Sequence, residues 1–412
     1  MKLKVIILAA GKGTRMRSEK PKVLFKVAGK PMIDYVVKVA EALSKEIVVV
    51  VGNQSEKVVE HLNGKDIVFI EQQVQKGTGH AVMCAKDTFK DFDGKVLILC
   101  GDMPLITYDT LKKFIENSME SELSFISVKT DNPTGYGRVV RGADKKVLKI
   151  VEEKDANENE KKISEINTGI YLVDAKVLNE RLSSLSDQNA QNEYYLTDII
   201  RSGADVFLAE DEKEFIGIND KFQLSVASKI LYKNRAISHM KNGVEIIDFE
   251  NCYIDEDVSI GIDTVIYPNV YIQGSSTIGK NCTIYPGVRI IDSVIEDGCE
   301  IKDSCLVTNS FIGKNSVIGP MAHLRPDTFL SGYNKIGNFV ETKKAKIGEN
   351  SKASHLTYLG DCEIGKDVNV GCGTITCNYD GISKHKTFIG DSVFVGSDVQ
   401  FVAPVYIGDG AL

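Results

Sequence analysis

Two groups of residues in this 412-residue chain have types and spacings that could do chemistry. The first is Gly11-Lys12-Gly13-Thr14-Arg15, which follows directly on the apolar run 5–10. Glycines leave backbone N–H groups accessible, and Lys12 and Arg15 add positive charge, so the loop could cradle a polyphosphate. A bland tight turn accounts for these five residues equally well. The pattern GxxxxGK[ST] is absent, which disfavours an ordinary P-loop hydrolase. Lys22, in Pro21-Lys22, could add a phosphate-facing ammonium. Asp102 follows the apolar run 96–100, and open parallel sheets bind ligands at the carboxyl ends of their strands. A carboxylate there suits Mg²⁺ carried on a nucleoside triphosphate, because Mg²⁺ usually takes one or two protein oxygens together with phosphates. A turn or cap aspartate is the alternative.

The second group lies near the other end. His355 sits in Ser354-His355-Leu356-Thr357-Tyr358-Leu359-Gly360, a stretch where a histidine is by default a structural polar residue. Around it are Arg325, Lys343, Tyr358, Asn369, Asn378, Tyr379 and Lys384. Cations and amides at that density would recognise a phosphosugar.

The elements that must position these groups differ between the two halves. Apolar runs at 5–10, 47–51, 67–70, 96–100 and 124–128 alternate with amphipathic stretches, including expected helices at 31–43 and 79–89. That pattern predicts an α/β domain over 1–222, a parallel sheet with helices on both faces. A basic helical stretch over 223–242 (Lys229, Lys233, Arg235, Lys241) reads as a connecting helix whose charges are solvated.

From 243 to 412 isoleucine recurs every six residues, at 254, 260, 266, 272, 278, 284 and 290. No 3.6-residue helix keeps that set on one face, and one strand through it would be ~120 Å long. The chain must turn between repeats, which predicts an all-β solenoid of hexapeptide repeats. Glycines after the repeat apolar residue, as at Gly261 and Gly313, are expected to ease tight corners. The register fails at 347–364 and at 377–386, and insertions in solenoids often bind something.

Composition narrows the class. The net charge of −7 argues against general nucleic-acid binding and against a polybasic membrane anchor. No apolar run approaches the ~20 residues of a membrane helix. The apolar start followed at once by Gly11 reads as a buried strand entering a loop, not as a signal peptide. Nine cysteines without metal-type spacing read as free thiols in a reducing cytoplasm.

Leu8-Ala9-Ala10-Gly11-Lys12-Gly13-Thr14-Arg15-Met16, Pro21-Lys22, Gln72 with Gly77-Thr78-Gly79-His80-Ala81, and Gly101-Asp102 resemble sugar-1-phosphate nucleotidylyltransferases. Gly135-Tyr136-Gly137-Arg138, Val151-Glu152-Glu153-Lys154, Glu165-Ile166-Asn167-Thr168-Gly169 and Gly217-Ile218-Asn219 extend the match. So do Glu341-Thr342-Lys343-Lys344-Ala345 and Gly373-Thr374-Ile375-Thr376-Cys377-Asn378-Tyr379-Asp380-Gly381. Together they resemble the bacterial enzymes that combine N-acetylglucosamine-1-phosphate uridylyltransferase with glucosamine-1-phosphate N-acetyltransferase.

The resemblance implies a Rossmann-like nucleotidyltransferase domain, a connecting helix and a left-handed parallel β-helix assembling as a homotrimer. It implies that Leu8, Ala9, Ala10, Gly11, Gln72, Gly77 and Thr78 hold UTP, and that Gly137, Glu152 and Asn167 read the acetylated sugar. Asp102 and Asn219 would hold Mg²⁺, while Arg15 and Lys22 neutralise charge at the phosphates. Arg325, Lys343, Tyr358, Asn369, Asn378, Tyr379 and Lys384 would bind glucosamine-1-phosphate. His355 would be the general base, since an imidazole near pKa ~6.5 suits that task at neutral pH. Cys372 and Ser397 would lie on the acetyl-CoA side, Cys372 standing where relatives usually place alanine. Relatives also continue beyond Leu412 with further repeats and a basic tail, so nucleotidyl transfer with the solenoid as a scaffold is the competing expectation. His385 and Lys12 are given no role.

Overall fold

The computed structural model describes residues 2–52, 54–200 and 203–412. The chain divides into two compact units, 1–227 and 228–412.

Along the first unit run β1 (Leu3–Ala9), α1 (Met32–Leu43), β2 (Glu46–Val51), α2 (Ser55–His61), β3 (Val68–Glu71), α3 (Thr78–Cys84) and β4 (Lys95–Cys100). They are followed by α4 (Tyr108–Asn117), β5 (Leu123–Lys129), β6 (Arg138–Arg141), β7 (Val147–Val151), β8 (Glu165–Asp174), α5 (Ala175–Leu182) and β9 (Asp205–Ala209). The sheet order is β9-β5-β8-β4-β1-β2-β3. Continuous apolar runs become strands here because both faces are covered. Val5, Ile7 and Val49 pack on Ile33, Val36 and Val37 of α1, whereas Ile6, Val48 and Ile98 pack on Ala81, Val82 and Leu178.

Two expectations are corrected. The sheet is mixed, since β8 runs antiparallel to both β4 and β5. Parallel neighbours need a long crossover, usually helical, and no α-helix lies between β5 and β8. The chain instead returns through the antiparallel β6–β7 ribbon. The helix expected at 79–89 stops at Cys84 and continues as a 3₁₀ turn over Lys86–Thr88. Thr88 Oγ1 donates to the Ala85 carbonyl at 2.7 Å, a local bond that competes with the helical ladder.

Helix α6 (Lys221–Lys241) spans the division between the units. Two of its basic residues make ion pairs, Lys233 with Glu250 at 2.9 Å on the exposed surface and Arg235 with Glu256.

The second unit is a parallel β-helix with three strands to the coil. Ser259–Ile260 pairs with Thr277–Ile278, Val265–Ile266 with Thr283–Ile284, and Cys252–Ile254 with Val270–Gln273. Ile254, Ile266, Ile272, Ile284, Ile290 and Ile301 have no exposed surface and stack along one interior. The corners are carried largely by Asn, Asp and Gly at positive φ, among them Asp263, Asn269, Asn281 and Asn315.

Gly261 is not such a corner: a Cβ there would lie 2.6 Å from the backbone of Gly279 in the next coil, so glycine serves close stacking. The break at 347–364 is a coil shortened by one residue, Ile347 pairing with Ile364. It is a 17-residue coil, like the one that pairs Ile278 with Ile295. The break after Thr376 is a true excursion, because Cys362 pairs with Thr387 across it. All nine cysteines are free thiols.

Candidate active sites on the sheet and on the solenoid

At the carboxyl end of β1 the first unit opens into a cleft of ≈ 550 Å³. Leu8, Ala9, Ala10, Gly11, Arg15, Lys22, Gln72, Gly77, Thr78, Asp102 and Asn219 all line it, as do Lys12, Gln75 and Glu193, to which the sequence reading gave no site role. The glycine-rich loop is shaped by Gly13, whose φ of 60° lies in the left-handed region. A Cβ at Gly13 would stand 2.8 Å from Lys22 Cβ, so the missing side chain also lets the lysine stem pass.

Lys22 reaches the centre of the cleft. Its Nζ donates to Asp102 Oδ2 at 2.5 Å and to Asn219 Oδ1 at 3.2 Å. Asn219 is aimed by its own Nδ2, which donates to Gly217 O at 3.2 Å, and Ile218 N ties the segment to Asp102 O at 3.0 Å. A carboxylate and an amide oxygen, brought from segments 117 positions apart, thus converge on one cation.

That donor set fits a hard divalent ion sharing its shell with phosphate oxygens. Among the described residues no group of three or more His, Cys, Asp or Glu could hold a metal unaided, so the ligand must supply the remainder. Cys100 lies beside Asp102, but burial, reinforced by the Asp102 charge, pushes its thiol up to about 12. It stays protonated and is no nucleophile.

Gly137, Glu152 and Asn167 also come together. Asn167 N donates to Gly137 O at 2.9 Å, and a Cβ on Gly137 would lie 3.5 Å from Glu152 Oε2. Burial raises the Glu152 pKa, opposed by the bond that Thr197 Oγ1 donates to Glu152 Oε1 at 3.0 Å. Asn167 is held at both ends of its amide, Nδ2 on Tyr171 OH at 2.7 Å and Oδ1 accepting from Gly169 N at 3.2 Å. Thr197 and Tyr171 escaped sequence reasoning. Nothing local marks them, and only the folded chain sets them against Glu152 and Asn167.

On the solenoid, Arg325, Lys343, Tyr358, Asn378 and Lys384 gather. Asn378 Nδ2 lies 3.5 Å from Tyr358 OH and donates to Asp361 Oδ2 at 2.5 Å. Contact with Lys384, then repulsion from it and from Arg325, pulls the Lys343 pKa down. Cations crowded in this way favour an anion between them. Glu341 holds Arg325 at 2.7 Å. Asp361 and Glu341 were missed, since acids in a cation-rich site become legible only as its braces.

The excursion after Thr376 is a hairpin in which Tyr379 bridges Lys384. Asp380 braces it, accepting from Ile382 N at 2.8 Å, Ser383 N at 2.7 Å and His385 Nε2 at 2.7 Å. His385, part-exposed on this loop, therefore has a partner in Asp380. Tyr379 is exposed and donates to Gly381 O at 2.6 Å.

His355 is exposed at the end of strand Lys352–His355, three residues before Tyr358. It stands in register with Asn338 one coil earlier. Gly373 N donates to Leu356 O, and Asp398 N donates to Cys372 O at 2.7 Å. His355, Cys372 and Ser397 therefore occupy one corner of three successive coils. Asn369 is not brought to the cation cluster within one chain; it pairs with Lys352 and Phe394 on a different face.

Comparison with known proteins adds the following. The nucleotidyl transferase family model matches residues 4–212, and the EIF2B subunit epsilon LbH domain model matches 238–342. The chain is 50% identical over 417 residues to the bifunctional protein GlmU of Pelobacter propionicus, covering 99% of this chain and 91% of that protein. It is 50% identical over 420 residues to the GlmU protein of Geotalea uraniireducens, covering 100% and 92%. To that of Caldanaerobacter subterraneus subsp. tengcongensis it is 50% identical over 414 residues, covering 98% and 90%. The match to the LbH domain accords with a left-handed coil for the β-helix.

Proposed function

The chain belongs to the family of bifunctional GlmU proteins, and from that premise we propose that it catalyses two steps in the making of UDP-N-acetylglucosamine. Acetyl-CoA first acetylates glucosamine-1-phosphate, and UTP then uridylylates the product with release of pyrophosphate. The observation that carries the second step is the convergence of Asp102, Asn219 and Lys22 beside the glycine-rich loop.

The sugar phosphate is already an anion, so no protein base is needed for its oxygen to attack the α-phosphorus of UTP as pyrophosphate leaves in line. The work is positioning and charge neutralisation. Bound Mg²⁺ would supply electrostatic stabilisation at the phosphates from the Asp102 and Asn219 oxygens. Arg15 and Lys22 place further positive charge there. Gln72, Gly77, Thr78 and the segment from Leu8 to Gly11 hold the nucleotide, and Gly137, Glu152 and Asn167 the acetylated sugar.

On the solenoid, Arg325, Lys343 and Lys384 take the phosphate of glucosamine-1-phosphate, and Tyr358, Asn378 and Tyr379 its sugar face. His355 accepts the amine proton as the nitrogen bonds to the thioester carbonyl and coenzyme A departs as thiolate. Cys372 and Ser397, on the same corner, border the acetyl-CoA. Asn369, remote from the cluster in one chain, is assigned to a site shared between neighbours in a homotrimer, the cyclic arrangement that lets one copy complete another's cleft. The chain is proposed to act on small molecules in the cytoplasm. Separately, no helix among the described residues is long and apolar enough to cross a membrane.

The test follows free thiol from acetyl-CoA with glucosamine-1-phosphate, and pyrophosphate from UTP with N-acetylglucosamine-1-phosphate. Both signals are expected from the purified chain. Full-rate pyrophosphate release by Asp102→Ala would refute the metal assignment, and thiol release surviving His355→Ala would refute the base.

A further inference from the structure

Gln72 follows β3 at its carboxyl end with only 3% of its surface exposed. Its Nε2 lies 3.1 Å from Gly77 O and 2.9 Å from His80 Nδ1. A primary amide nitrogen has two protons and accepts nothing, so both neighbours must be acceptors. Gly77 O can be nothing else. His80 Nδ1 accepts only when the ring is neutral and carries its proton on Nε2. Burial, then the charge of Lys76, holds the His80 imidazole below its usual range, which favours that neutral ring. Cys84 Sγ stands 3.9 Å from Nδ1, at the limit of a sulfur contact, and the Tyr194 ring lies 6.3 Å away.

With both amide protons committed to protein acceptors, Gln72 cannot turn over without setting Oε1 against the Gly77 carbonyl and forcing His80 to move its proton from Nε2 to Nδ1. Oε1 itself takes no hydrogen bond among the described residues and is not sealed from solvent, and Gln72 lines the cleft. We infer that His80 is a positioning residue for nucleobase selection: it locks the Gln72 amide with Oε1 toward the base, so that a base offering a ring N–H is accepted and one offering a bare ring nitrogen is refused. This rests on the uridylyl-transfer reading. Uracil offers N3–H as a donor, whereas cytosine N3 carries a lone pair that would oppose Oε1. A mismatch of two acceptors in a desolvated site is what separates near-isosteric bases.

The experiment measures kcat/KM for UTP and for CTP, with N-acetylglucosamine-1-phosphate and Mg²⁺, on the full chain and on His80→Phe, His80→Leu and His80→Gln. Calorimetric binding of both nucleotides without sugar phosphate reads the same preference in the absence of turnover. His80→Phe and His80→Leu lack the acceptor and are expected to lower the UTP:CTP ratio by about fivefold or more, the worth of one hydrogen bond of ~1 kcal/mol. His80→Gln, whose carbonyl can accept, restores the ratio. Two apolar variants are read in parallel, so a folding failure of one leaves the other to decide. Equal losses for UTP and CTP, or an unchanged ratio, would overturn the role of His80 alone. Preference for CTP in the unaltered chain would overturn the uridylyl reading as well.

Discussion

Lys22 stands between two oxygens that a divalent ion would also take. An ion can enter only as the ammonium withdraws, and an incoming phosphate gives that ammonium somewhere to go. Lys22→Met is therefore expected to bind Mn²⁺ more tightly than the unaltered chain in the absence of nucleotide, read by electron paramagnetic resonance. The same variant should lose roughly 10²–10³ in uridylyl turnover, the usual effect of removing one preorganised positive group.

Glu152 makes a separate prediction. Burial raises its pKa, so the folded chain holds the proton more tightly than the unfolded chain does. Stability is then lost as pH rises from the ordinary glutamate range through the raised value. Glu152→Gln removes that penalty, so its melting temperature should gain on the unaltered chain from pH 5 to pH 8. A constant difference across that range would refute it. At this scale the glycine loop, Lys22, Asp102 and Asn219 were legible in the sequence as members of one motif set. That Lys22 bridges the two oxygens was not, because residues 22, 102 and 219 meet only through the sheet.

The elements carry their own tests. Gly261 is required by the spacing of stacked coils, so Gly261→Ala should cost about 1–3 kcal/mol, as forced overpacking does. Chemical denaturation of the chain reads this cost. Asp380 braces the hairpin that presents Lys384. Asp380→Ala should raise the KM for glucosamine-1-phosphate roughly tenfold by loosening that presentation, with pyrophosphate release unaffected. The six-residue period announced the coils because each rung buries one large residue, a rule local enough to print itself on the sequence. Antiparallel β8 left no such mark. Strand direction depends on which end the chain enters, and Glu165–Asp174 is buried on both faces whichever way it runs. Both breaks in the six-residue register carry residues of the proposed acetyl-transfer site: His355, Tyr358 and Asp361 lie in the 17-residue coil, and Asn378 and Lys384 in the excursion after Thr376.

For the whole molecule, the two sites rest on different units and share no described residue. His355→Ala should abolish thiol release by ~10² or more while pyrophosphate release stands, since a positioned base contributes on that order. Light scattering should return three chains to the particle if Asn369 acts across neighbours, and a monomer with full acetyl transfer would refute that. What the sequence determined by itself was whatever short-range repetition and motif spacing encode: an α/β half, a six-residue solenoid and the residue types gathered for phosphates. What only the tertiary structure decided was which of those residues meet. The Asp102–Lys22–Asn219 bridge, the Gln72 lock, the Asp361 brace and the shared corner of His355, Cys372 and Ser397 are contacts made in three dimensions. Most join positions far apart in the chain, where periodicity and spacing carry no information about contact.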